Sequence, residues 1–326
     1  MSKSEFLISR REMIAAGTAT LLAGCATRNA AEPSTELPPG KSTFTMPGGK
    51  RRESQVITVH CYRPSTFTRR SRVLLVIPGA GRNGDDYRDS WTSIADTHGV
   101  LVASPSYPES GYNPAAYQMC GVIENLKIGT PLPQSTETSV YLRDEDVRFD
   151  VNPRRDEWLF NDFDRLFARL VRATGSSQRS YDMFGHSAGA QVLHRHALLW
   201  QGSRARRVIA ANAGFYTLPD LSTPQPVGLA GLGLGEQALR EAFKRDLTIL
   251  LGEKDNHPDL GGSHLHTPMI DRQGTNRLAR GRYFHAFGRE RASGLHTDFR
   301  WTLAEVPGVG HDYRAMARAA AQHLYG

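Results

Sequence analysis

Short, mainly apolar runs alternate with longer amphipathic stretches over most of the chain. Runs at residues 72–77, 100–104, 181–184, 207–213, 247–251 and 299–306 have the length and β-branched content of buried strands. Between them, apolar residues recur at helical spacing over 87–97, 161–173, 190–200, 275–291 and 313–324. A strand whose residues are apolar on both faces needs cover on both sides, and a helix between successive strands provides it. The alternation therefore predicts an α/β fold with a mostly parallel sheet covered by helices on both faces. Residues 55–62 alternate apolar with polar and read as an amphipathic strand at the antiparallel end of that sheet.

Two segments break the rhythm. Residues 106–158 are long and rich in Pro, Gly and charge, and are expected to lie over the strand ends as a wall of the site. Residues 214–246 separate two core strands, contain a Leu/Gly-rich loop at 228–235, and are expected to form a small lid. Phe215, Tyr216, Leu229, Leu232 and Leu234 either line an acyl pocket there or pack the lid's underside.

Candidate chemistry sits at the strand ends. Gly185-His186-Ser187-Ala188-Gly189 follows one apolar run directly and opens a helical stretch. In that context G-x-S-x-G makes a turn so tight that the serine hydroxyl is thrust out above the sheet. A serine needs a base to take its proton and a carboxylate to orient that base. Asp255, in Gly252-Glu253-Lys254-Asp255, and His311, in Pro307-Gly308-Val309-Gly310-His311, each lie just past a later strand. Glu253 on the same turn, Asp259 a few residues on, and Asp220 after the preceding strand are the other candidates for the acid. An oxyanion hole takes one backbone N–H from the residue after the nucleophile, Ala188. A second is expected from the loop Pro78-Gly79-Ala80-Gly81-Arg82-Asn83-Gly84, with Ala80 the favoured donor and Gly81 next.

These motifs, with Ala211-Asn212-Ala213-Gly214 and Gly308-Val309-Gly310-His311-Asp312, resemble the α/β-hydrolase superfamily. Residues 73–311 look like secreted bacterial esterases near the polyhydroxyalkanoate depolymerases, although those usually open the oxyanion loop with His-Gly where this chain has Pro78-Gly79. The resemblance implies an α/β-hydrolase fold and a carboxylic-ester hydrolase working through an acyl-enzyme on Ser187, with His311 as base and Asp255 as acid and no cofactor. It does not imply a particular ester, small or polymeric. An amidase or peptidase with the same triad is the nearest alternative. A non-catalytic envelope binding protein on a hydrolase scaffold is the other.

The front of the chain reads as an address. Ser9-Arg10-Arg11-Glu12-Met13-Ile14 resembles a twin-arginine export signal, with Met13 where phenylalanine is usual. Leu22-Ala23-Gly24-Cys25 resembles a bacterial lipobox, which implies acylation of Cys25. The apolar stretch 13–23 is 11 residues, against about 20 for a membrane-spanning helix. Residues 1–24 are therefore expected to be a cleaved signal, 25–40 a lipid-anchored tether, and 41–326 a single catalytic domain of the cell envelope, periplasm-facing or on the outer membrane.

Net charge is +7, and +6 once residues 1–24 are removed. That suits an anionic envelope, and the scattered arginines accompany no nucleic-acid motif. Cys61 and Cys120 remain for a disulfide, which an exported protein permits but which is not the favoured reading. His257, His264 and His266 with Asp259 fit no dedicated zinc spacing and read as a polar substrate rim. His194 and His196, on the helix after Ser187, read as structural.

Overall fold

The computed structural model describes residues 36–257 and 264–326. The signal segment, Cys25, the tether up to residue 35 and Asp259 lie outside the described residues.

Eight strands form the main sheet: β1 (Gly40–Pro47), β2 (Val56–Arg63), β3 (Val73–Ile77), β4 (Leu101–Ser106), β5 (Tyr181–His186), β6 (Ala205–Ala211), β7 (Asp246–Gly252) and β8 (Thr302–Val306). Their order is β1-β2-β4-β3-β5-β6-β7-β8. β2 runs antiparallel to β1 and to β4, and every other pairing is parallel. The helices are α1 (Gly84–Asp89), α2 (Thr92–His98), α3 (Phe160–Thr174), α4 (Ala188–Leu199), α5 (Glu236–Phe243), α6 (Pro268–Asp271), α7 (Arg277–Gly294) and α8 (Tyr313–Tyr325).

Side chains of a strand alternate between faces, and β3 shows why the runs are apolar throughout. Val73, Leu75 and Ile77 join the core beneath α3, α4, α5 and α7. Leu74 and Val76 join the opposite core beneath α1, α2 and α8. All twelve residues of α4 are buried, which is why this helix lacks a polar face. The α/β-hydrolase fold expected from the sequence is the fold observed.

Several expected boundaries move. The body begins at Glu36 rather than residue 41. Leu37 is buried and its N–H donates to the Ala173 carbonyl at 3.1 Å. β1 lies in what reads as polar sequence because its partly exposed edge carries few apolar residues; Phe44 pairs with Val59, and Arg169 covers its ring at 4.2 Å. The helix expected near 87–97 is two helices, broken where the Ser90 hydroxyl donates to the Tyr87 carbonyl at 2.7 Å. β8 begins at Thr302 because Trp301 turns inward, its ring against Phe243 and its indole N–H on the Ala242 carbonyl at 2.9 Å.

The segment 106–158 is more ordered than its composition suggests. Ile123–Ile128 pairs antiparallel with Val147–Val151. Ser139–Tyr141 pairs in parallel with His264–His266. Within 214–246, Phe215, Tyr216, Leu229 and Leu232 are buried in the larger core and Leu234 is partly buried against it. Tyr216 stacks on Phe284 at 4.6 Å and Phe215 lies under Arg195 at 5.1 Å. They follow the packing alternative. Cys61 and Cys120 are separate buried thiols, each pushed up to about 12 by burial.

Candidate active site

Ser187 sits at the junction of β5 and α4 with φ 58° and ψ −117°. A side-chain-bearing residue in such a region costs about 1–3 kcal/mol and persists only where its surroundings enforce it. Here they do. The Ser187 N–H donates to the Ala211 carbonyl at 2.9 Å, and its carbonyl accepts from Gln191 N–H at 3.1 Å. A Cβ on Gly185 would lie 2.5 Å from the Gly189 carbonyl oxygen, and one on Gly189 would lie 2.0 Å from that of Ile77. Both glycines are required because backbone packs on backbone at these points.

The loop after β3 closes over this elbow. A Cβ on Gly79 would stand 3.5 Å from the Ser187 Cβ. The Tyr117 hydroxyl, from the 106–158 segment, holds the loop by donating to the Pro78 carbonyl at 2.7 Å. Ala188 is the first residue of α4, so its N–H has no intrahelical acceptor. The N–H groups of Ala80 and Ala188 have no hydrogen-bond partner among the described residues. A developing oxyanion needs uncommitted backbone donors of this kind.

Asp255 and His311 come together. His311 Nδ1 and Asp255 Oδ2 are 2.7 Å apart, with the side chains 8 % and 0 % exposed. The rival acids are engaged elsewhere: Glu253 accepts the Gly308 N–H at 2.8 Å, and Asp220 accepts from Ser222 and Thr223 within its own loop. The His311 ring lies 4.4 Å from that of His186, the residue before Ser187. Asn212 ties the two loops together. Its side chain accepts the Gly252 N–H at 2.8 Å and donates to the Gly310 carbonyl at 3.1 Å.

Burial pushes the His311 imidazole below its usual range. The hydrogen bond it donates to Asp255 pushes it back up, and the charge of Arg277 lowers it again. His186 is driven well below by burial, then by the nearby His311 and Arg277 charges. A base that is neutral at physiological pH can accept a proton there.

His194 and His196 are interior, as expected. His194 Nε2 accepts the Thr217 N–H at 3.0 Å, and His196 lies against Phe160 and Phe163. His264 and His266 are also buried, so they are no rim; His266 Nδ1 meets Asp271 at 2.9 Å and its ring stacks on Tyr141 at 4.4 Å. Among the described residues no group of His, Cys, Asp and Glu could hold a metal ion.

Sequence reading missed two members of this neighbourhood. The Tyr87 hydroxyl and His186 Nδ1 lie 3.2 Å apart. Arg277, first residue of α7, places Nη1 3.1 Å from Asp255 Oδ1. The available signal was a cation in a first helical turn, where the helix dipole disfavours it unless an anion is near.

The arrangement is that of an α/β-fold hydrolase, and known structures agree. The chain is 33 % identical to poly(aspartic acid) hydrolase-1 from Sphingomonas sp. KT-1, with TM-score 0.76 over 89 % of this chain and 100 % of that one. It is 29 % identical to LpqC, a poly(3-hydroxybutyrate) depolymerase from Bordetella parapertussis, with TM-score 0.74 over 88 % and 90 % of the two chains. An IroE-like serine hydrolase from Shewanella oneidensis, 11 % identical with TM-score 0.51 over 87 % and 80 %, shares the fold. No family model and no curated protein matches the chain by sequence. The chain belongs to the α/β-hydrolase superfamily, beside the polyhydroxyalkanoate depolymerase-like hydrolases.

Proposed function

We propose that this hydrolase cleaves carboxylic esters through an acyl-enzyme on Ser187. The observation that carries the reading is the strained Ser187 backbone, φ 58°, on the sheet edge that also carries the 2.7 Å Asp255–His311 pair. His311 takes the serine proton as the hydroxyl attacks the carbonyl carbon, then gives it to the departing alcohol. Asp255 fixes the tautomer with the proton on Nδ1 and stabilises the imidazolium. The Ala188 and Ala80 N–H groups hold the tetrahedral oxyanion. Water, deprotonated by His311, then releases the acid and restores the serine.

Amide cleavage by the same residues is the second reading. The relationship to a poly(aspartic acid) hydrolase favours it, since aspartic acid units are joined through amides; the poly(3-hydroxybutyrate) depolymerase favours the ester. An ester and an amide sharing acyl group and leaving-group bulk separate the two. The ester reading expects the larger kcat/KM for the ester with loss of both activities in Ser187→Ala. An amide preference under matched conditions overturns it.

The reading includes placement at the cell envelope through lipid on Cys25, supported by the Leu22-Ala23-Gly24-Cys25 motif and the preceding paired arginines.

A further inference from the structure

We propose that Arg277 is a positioning residue that clamps one carboxylate oxygen of Asp255 and so aims the other at His311. The inference rests on the reading of Asp255 and His311 as acid and base. Arg277 Nη1 lies 3.1 Å from Asp255 Oδ1, while Oδ2 lies 2.7 Å from His311 Nδ1. The two oxygens are thus divided between a fixed cation and the base. The Arg277 and Asp255 side chains are 3 % and 0 % exposed, so neither partner is free to swing into solvent.

The backbone reinforces the clamp. Leu278 N–H donates to the Asp255 carbonyl at 3.2 Å, docking the start of α7 onto the acid loop. Asn276 caps the helix by accepting from Ala279 N–H at 2.9 Å, which sets the position of Arg277 at the first turn. A cation at a helix N-terminus opposes the dipole, and a buried ion pair is on average a poor source of stability because both ions lose water. An arrangement that is poor for stability on both counts is well suited to holding a carboxylate in one orientation.

The charge also acts on the base. Among the described residues the charged and titratable groups facing His311 are Asp255, Arg277 and His186, and those facing Asp255 also include His264 and the Tyr216 phenol. Burial keeps His186 and His264 neutral and the Tyr216 phenol protonated in the working range. Arg277 is therefore the fixed positive charge whose removal makes protonation of His311 easier.

The test is the rate of active-site labelling by a fluorophosphonate probe from pH 4.5 to 9, on wild type, Arg277→Gln and Arg277→Lys. Labelling needs Ser187 and neutral His311 but no knowledge of the substrate. Arg277→Gln is expected to move the acid limb up by about one pH unit and to lower the plateau about tenfold or more. Arg277→Lys keeps the charge but not the planar fork, so its limb should stay in place while its plateau falls. Folded Arg277→Gln with the wild-type limb and plateau overturns the proposal. If Arg277→Gln does not fold, Arg277→Lys decides alone, and a wild-type plateau there overturns the clamp. Failure of the wild type to label at any pH is a different result, because it removes the hydrolase reading itself.

Discussion

Asp255 Oδ2 stands 2.7 Å from His311 Nδ1, and the carboxylate is wholly sealed from water. Asn212 fixes this distance from below by bonding the loop ahead of each residue. Replacing Asp255 with asparagine keeps the size but removes the charge and can stabilise the wrong imidazole tautomer, a loss of about 10⁴-fold in the triad of a serine protease of unrelated fold. Asp255→Asn is therefore expected to lower kcat by about that factor, while Glu253→Gln and Asp220→Asn stay within a few-fold of wild type. Steady-state kinetics on the three variants checks this. A large loss at Asp220 with none at Asp255 would move the acid to the strand before.

The elbow glycines are a steric prediction. A Cβ on Gly189 would sit 2.0 Å from the Ile77 carbonyl oxygen, whereas one on Gly202 would meet nothing within 4 Å. Gly189→Ala should cost at least the upper end of the about 1–3 kcal/mol typical of overpacking, and Gly202→Ala should be close to neutral. Thermal melting of both proteins distinguishes them. Equal melting temperatures would mean that β3 and α4 are not packed as described.

Buried histidines give a stability prediction with a definite sign. Burial depresses His186 and His194 well below 6.5, His196 to about 3 and His264 to about 4. The unfolded chain therefore binds more protons than the folded one below pH 6.5. Stability is full above that pH and is lost as pH falls toward 4. Each such histidine steepens the loss by up to about 1.4 kcal/mol per pH unit. His196, packed between Phe160 and Phe163, can be replaced without removing a hydrogen bond. His196→Leu should flatten the melting profile between pH 6 and 4, and an unchanged slope would contradict the assignment.

The sheet and the strand-end motifs were legible because strands buried on both faces are mainly apolar, as β3 is throughout and β7 is from Ile249 to Leu251. β1 was not, because half its residues face outward and its register comes from β2 rather than from its own pattern. Ser187, Asp255 and His311 stand out because each lies at or just past the end of a strand. Arg277 does not, since its role comes from a contact with Asp255, 22 residues away in sequence. His264 and His266 leave the expected rim for a related reason: their short pairing with Ser139–Tyr141 goes with burial of both side chains, whereas His257 is exposed.

The envelope reading has its own test. Cys25→Ser should leave kcat unchanged and release the enzyme from the membrane fraction. One acyl chain adds about 0.8 kcal/mol per buried CH₂, and two or more hold firmly, whereas attraction of a basic surface is screened by salt. Fractionation at low and high salt checks this; a wild type that washes off in salt as readily as Cys25→Ser would mean the attachment is electrostatic.

The most direct test of the central claim is mass spectrometry of the protein after acid quenching during turnover of an activated ester. The account predicts an acyl adduct on the peptide carrying Ser187, absent from folded Ser187→Ala, whose kcat should be lower by about 10⁶-fold. An adduct on another residue, or Ser187→Ala retaining more than about a few per cent of wild-type activity against the loss expected of a triad serine, would contradict it.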